Sequence, residues 1–167
     1  MMNLYLLRHA IAVDHGTPGF TEEARPLTPQ GQAKMRQAAD GMKALEIKLD
    51  AMLTSPLLRA RQTADIAAGA LTAKEKLHEI TALKPGTPFD KLWAALKPFA
   101  SCGEVMLVGH EPFLSELLAT VLTGRPQGLH AIMKKGGLCK IEIDGIPPKG
   151  RGVLHWLLTN KQLREMR

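Results

Sequence analysis

The 167 residues predict a three-layer α/β/α fold with a mostly parallel central sheet, as one domain spanning residues 1–167. Three observations carry that expectation. Short apolar runs alternate with stretches of helical spacing, helix-start signals follow closely on the runs, and basic or hydroxyl residues recur where a run gives way to its helix.

"NLYLL" is the first strand, and it runs into Arg8 and His9. A Gly- and Pro-marked polar loop, "DHGTPGFTEEARP", leads to Thr28-Pro29, an N-cap followed by a proline at the first helical position. Met35, Ala38, Met42 and Leu45 continue at helical spacing. "LDAMLT" is the second strand, and Ser55-Pro56 offers another cap and N1 proline before a helix with Leu57, Ala60, Ala64, Ala67 and Leu71 on one face. After a looser stretch, "FDKLWAALKPF" forms a short helix that Pro98 would end or kink. "EVMLVG" is a third buried strand, followed at once by the helical "HEPFLSELLATVLTG", with Gly124 as its C-terminal cap. "LCKIEID" and "GVLHWLLT" are two further strands joined by the turn-rich "GIPPKGRG".

The bulk numbers narrow the function classes. Apolar residues make up 45% of the chain, enough for a single core, and the formal charge is +6. The Lys and Arg residues are scattered and aromatics are few, which speaks against a nucleic-acid surface. Cys102 and Cys139 lie outside any C-x-x-C pattern and suit a reduced pair. The N-terminus has no signal-peptide pattern and no apolar run approaches ~18 residues, so the expectation is a soluble, cytoplasmic protein without membrane association.

Arg8 and His9 are costly to desolvate without a partner. In a parallel sheet, strand ends and helix N-termini share one edge, where ligands bind. Arg8 and His9 end the first strand, Ser55 and Arg59 lie at the second strand–helix junction, and His110 lies at the third. Two arginines, two histidines and helix N-termini describe an anion site, with guanidinium forks matched to phosphate oxygens. A metal is a poor rival, because the arginines would repel it and no carboxylate or thiolate stands as a third ligand. No cofactor is expected, and the arginines would carry the charge of a phosphoryl transfer.

"LLRHA", "ARPLTPQG", "TSPLLRARQTA" and "VGHEP", in that order, resemble the motifs of the histidine phosphatase superfamily, the phosphoglycerate-mutase-like fold, and within it the small bacterial SixA-type phosphohistidine phosphatase branch. The match runs from Leu4 to about Leu122, with a weaker echo in the last two strands. The resemblance implies a metal-independent phosphatase in which His9 takes the phosphoryl group. Arg8, Arg59 and His110 then form the phosphate pocket with it, Arg25 adds a phosphate contact, and Ser55 supports the pocket or caps the helix. Neighbouring arginines would keep His9 neutral and nucleophilic. Many relatives carry Gly where this chain has Ala10, a small change with less backbone freedom. Mutase-type members use a carboxylate as proton donor, for which Glu79 is the nearest candidate.

The short connections between Thr72 and Glu104 leave an open site, which favours a phosphohistidine-bearing protein, such as a phosphorelay or phosphotransferase component, as the substrate. The rival readings are a small-molecule phosphatase or mutase-like enzyme of the same superfamily, and a catalytically silent phosphoprotein-binding module. Arg61 is assigned to a solvated face, His15, His78, His130 and His155 to loops or strand faces, and Trp93 and Trp156 to packing. Glu111 is expected to complement a helix N-terminus.

Overall fold

The computed structural model describes residues 1–167. In chain order the elements are β1 (Met2–Arg8), α1 (Pro29–Ala44), β2 (Ala51–Thr54), α2 (Leu58–Ala70), β3 (Leu77–Glu79), α3 (Phe89–Leu96), β4 (Glu104–Gly109), α4 (Phe113–Thr123), β5 (Leu138–Ile143), β6 (Val153–Leu158) and α5 (Asn160–Glu165). The six strands form one sheet in the order β3-β2-β4-β1-β5-β6. The pairs β3–β2, β2–β4 and β4–β1 are parallel, while β5 and β6 add an antiparallel edge.

The apolar runs are continuous because both faces of the central strands are covered. Along β1, Leu4 and Leu6 enter one core while Tyr5 and Leu7 enter the other. Val105 and Leu107 of β4 join the first, and Met106 and Val108 the second. This period of two sorts each strand between two layers. α3 and α4 supply Leu92, Leu96, Leu114 and Leu117 to the first core. α1, α2 and α5 supply Met35, Met42, Ala60, Ala64 and Leu163 to the second. Trp93 packs against the first and Trp156 against the second. Cys102 and Cys139 are both free thiols. No helix is long and apolar enough to cross a membrane.

Three local features depart from the expectations. β3 falls in the stretch read as irregular; it is three residues long and mostly exposed, so it leaves no apolar run to detect. α5 follows the last strand directly, closed by a capping box in which Thr159 and Gln162 bond each other's backbone N–H. It lies so close to α1 that a side chain at Gly41 would overlap the Leu163 carbonyl. α2 starts at Leu58, two residues after the predicted proline position, with Leu57 as an N-cap lacking a side-chain bond. There the Glu23 carbonyl accepts from Leu58 N at 2.9 Å, so a distant loop caps the helix. The buried face of α2 therefore includes Arg59, Thr63 and Ala68 beside the expected alanines. The Thr28 cap, which accepts from Gly31 N, and the left-handed Gly124 cap are as expected.

Candidate active site

Parallel pairing aligns the carboxyl ends of three strands. Arg8 stands opposite Gly109, and Thr54 opposite Val108. One residue further on, His9 N donates to the Gly109 carbonyl and Ser55 N to the Val108 carbonyl, both at 3.0 Å. His9, His110 and Ser55 consequently leave the sheet side by side, with the two imidazole centroids 5.2 Å apart. A turn at Gly136 clamps the strand exit, its N–H donating to the carbonyls of Arg8 (3.1 Å) and His9 (3.0 Å). Gly136 has φ +70°, and a side chain there would press on Asn160.

His9 is 7% exposed, and its Nδ1 lies 2.7 Å from the Ala10 carbonyl. A carbonyl only accepts, so Nδ1 carries the proton and Nε2 keeps a free lone pair. Burial pushes the pKa of His9 down to about 4; the Ala10 hydrogen bond opposes this, and the charges of Arg59, Arg8 and Lys135 add to it. The ring is neutral at neutral pH. Ala10 does not have positive φ, so alanine is at no backbone disadvantage here. Its N–H donates to Thr63 Oγ1 at 3.0 Å, and that hydroxyl donates to the Arg59 carbonyl at 2.7 Å.

His110 is 2% exposed, with Nε2 2.8 Å from Ser55 Oγ. Ser55 Oγ accepts from Leu57 N at 3.3 Å, so its own hydrogen is free to go to His110 Nε2. In that arrangement Nδ1 carries the proton, and it is buried without a partner in the protein. Burial, then the neighbouring His9 and Arg59, push the pKa of His110 down to about 3.

The arginines complete the positive wall. Arg8 Nη1 donates to the Met133 carbonyl at 2.8 Å. Arg59, 3% exposed, donates to Glu22 twice: Nη1 to the backbone carbonyl at 2.8 Å and Nη2 to Oε1 at 2.9 Å. Burial lowers the proton affinity of both guanidinium groups, yet arginine keeps its charge. Arg8 Nε, Arg59 Nε and His110 Nδ1 are buried and have no partner within the protein. Three unpaired donors on residues surrounding one histidine are costly unless an anion satisfies them.

The family profile described as histidine phosphatase superfamily (branch 1) matches residues 4–84. An uncharacterised protein of Picosynechococcus is 34% identical over 139 residues, 82% of each chain. The chain belongs to the histidine phosphatase superfamily. The phosphohistidine phosphatase SixA of Escherichia coli is 22% identical over 165 residues, covering 98% of this chain and 97% of that one. A structure of the protein histidine phosphatase SixA complexed with tungstate superposes with a TM-score of 0.82 at 23% identity, covering 97% and 99%. The α-ribazole phosphatase of Shigella flexneri shares the fold at a TM-score of 0.72 and 16% identity, covering 95% and 97%.

Within this superfamily member, Arg8, His9, Ser55, Arg59 and His110 meet at one edge of the sheet. Arg25 joins them through an acid that the motifs do not include. Glu22 Oε2 accepts from Arg25 Nε at 2.8 Å and Oε1 from Arg25 Nη2 at 2.7 Å, while Arg25 Nη1 donates to the Val13 carbonyl. His15 Nδ1 lies 2.7 Å from the same carboxylate. Arg25 and then His15 hold the Glu22 carboxyl down to about 2, so it stays charged. Thr63, Glu22 and the Met133 carbonyl are the site components that sequence reasoning missed. For Glu22 the one available signal is an acid three residues before the motif arginine.

Glu79 ends β3 at the far edge of the sheet and is half-exposed, with its Oε2 3.4 Å from Arg61 Nη1. Its hydrogen bonding links it to Arg61 and to none of the residues around His9. Arg61 also reaches Asp65 on the exposed side of α2. Glu111 Oε1 accepts from Ser115 N at 3.0 Å at the start of α4. No group of three His, Cys, Asp or Glu side chains is placed to hold a metal ion.

Proposed function

We propose that this protein is a phosphohistidine phosphatase that works through a phosphoryl group carried on His9 Nε2. In the first step the Nε2 lone pair attacks phosphorus and the bond from phosphorus to the substrate imidazole nitrogen breaks. The leaving imidazole takes up a proton from solvent. In the second step a water attacks the phosphorus of phospho-His9; its proton passes to solvent, inorganic phosphate leaves, and His9 returns to its neutral form. Splitting the displacement in two lowers each barrier. Arg8, Arg59 and His110 stabilise the phosphoryl oxygens as charge builds on them. Ser55 holds the His110 tautomer, and Arg25 serves the phosphate from the rim. An imidazole leaves without a strong acid, so this step does not depend on a proton from Glu79.

The observation that carries the reading is the trio of buried, unpartnered donors around a neutral His9 with its Nε2 bare. The SixA relatives support the choice of phosphohistidine. The test is hydrolysis of a phosphohistidine-carrying protein domain beside a panel of sugar and glycerate phosphates, with wild type and His9→Ala. Loss of phosphate from the protein alone, dependent on His9, supports the reading. Turnover confined to the small phosphates overturns it and favours a small-molecule phosphatase, as in the α-ribazole phosphatase.

A further inference from the structure

Next to the phosphate pocket lies a second basic feature that the chemistry above does not use. A cleft of about 480 Å³ opens between β1, α1, α5 and the segment before β5. Its walls carry Arg8, Lys34, Lys134, Lys135, Lys161 and Arg164, and no acidic side chain. Lys161 meets Glu165 only at 4.0 Å on the exposed surface, and Arg164 Nε bonds Asn160 Oδ1 at 2.9 Å. Arg8 belongs to both the phosphate pocket and the cleft, and the charge of Lys135 is felt at His9. The cleft is thus contiguous with the reacting centre.

We infer that this cleft docks an acidic segment of the protein substrate, beside the histidine whose phosphoryl group enters the pocket. The inference rests on the protein-phosphohistidine reading above. Four of the six cations are lysines, point charges on long stems, and they come from three parts of the chain: α1, the segment before β5, and α5. Such spread charges match several carboxylates along a chain, whereas a compact phosphate calls for converging guanidinium forks. The segment that carries Lys134 and Lys135 also presents Ile132 at 78% exposure, an apolar contact useful to a polypeptide and of no use to a small polyanion. Like-signed charges lining one cleft also raise the encounter rate with an oppositely charged partner.

The test compares two synthetic phosphohistidine peptides, one flanked by glutamates and one by glutamines, against wild type and the double variant Lys34→Ala/Lys161→Ala. Neither lysine belongs to the phosphate pocket. For wild type at low salt the acidic peptide is expected to have a KM about fivefold or more below the neutral one, with kcat unchanged. That preference should shrink toward unity in the double variant and in high salt. Equal KM values in wild type, or a preference untouched by the double variant, overturn the inference. So does tripolyphosphate if it out-competes the unphosphorylated acidic peptide at the lysines. If neither peptide turns over while p-nitrophenyl phosphate does, the substrate reading has failed by itself. The docking inference is then decided by inhibition of that turnover: the unphosphorylated acidic peptide must inhibit wild type more strongly than the double variant, and equal inhibition sinks it.

Discussion

Acidification is the perturbation for which the structure sets the sign and the size. His9 is held near pKa 4 and His110 near 3, both chiefly by burial. In the unfolded chain each returns to about 6.5. Between the folded and unfolded values, the unfolded state binds protons that the folded state refuses, so stability falls as pH falls. The full contribution is present above about pH 6.5, and the loss continues down to the folded pKa values. From pH 7 to pH 5 an unfolded histidine passes from mostly neutral to almost fully protonated, while His9 and His110 stay neutral. The cost is roughly 2 kcal/mol per histidine, and about 4 kcal/mol for the pair as an order of magnitude. Their mutual repulsion does not enter, since neither is charged in the folded chain over this range. The assay is urea unfolding in phosphate-free buffers at both pH values. The control is His9→Gln/His110→Gln, which should lose most of the slope. Constant or rising stability on acidification, or an equal slope in the double variant, refutes the assignment of two buried neutral imidazoles.

Other expectations follow from the same contacts. Ser55→Ala should reduce turnover by about tenfold to a hundredfold with the fold intact, because His110 loses the bond that directs its Nδ1–H toward the phosphoryl oxygens; circular dichroism and steady-state kinetics measure both parts. Glu22→Ala removes a half-exposed carboxylate from the buried Arg59 and should cost about 1–2 kcal/mol in chemical denaturation. Gly136→Ala forces a side chain into a left-handed conformation beside Asn160 and should cost about 1–3 kcal/mol while weakening phosphate binding, followed by thermal denaturation and orthovanadate inhibition.

The legible parts of the site were those where the sequence breaks its own local rule. Arg8 and His9 interrupt an apolar run, and His110 follows one, so each asks for a reason that packing does not supply. The sheet was legible because Leu4 to Leu7 and Val105 to Val108 are apolar on both faces, a pattern that the two cores account for. Glu22 was not legible: an acid in a polar loop is unremarkable until the fold brings it to Arg59. The start of α2 was misplaced for a related reason. Ser55 gives its hydroxyl hydrogen to His110 and accepts from Leu57 N, and the helix is capped instead by the Glu23 carbonyl. The basic cleft was hidden because Lys34, Lys134 and Lys161 are scattered along the chain and only tertiary packing gathers them.

The central claim is a covalent phosphoryl group on His9. Its most direct measurement is rapid acid-free denaturation during turnover, followed by peptide mass spectrometry at alkaline pH, where phosphohistidine survives. The account predicts a phosphoryl group on the peptide containing His9 in wild type and none in His9→Asn, with turnover lost. A phosphoryl group located on another residue, or turnover undiminished in His9→Asn, would contradict it.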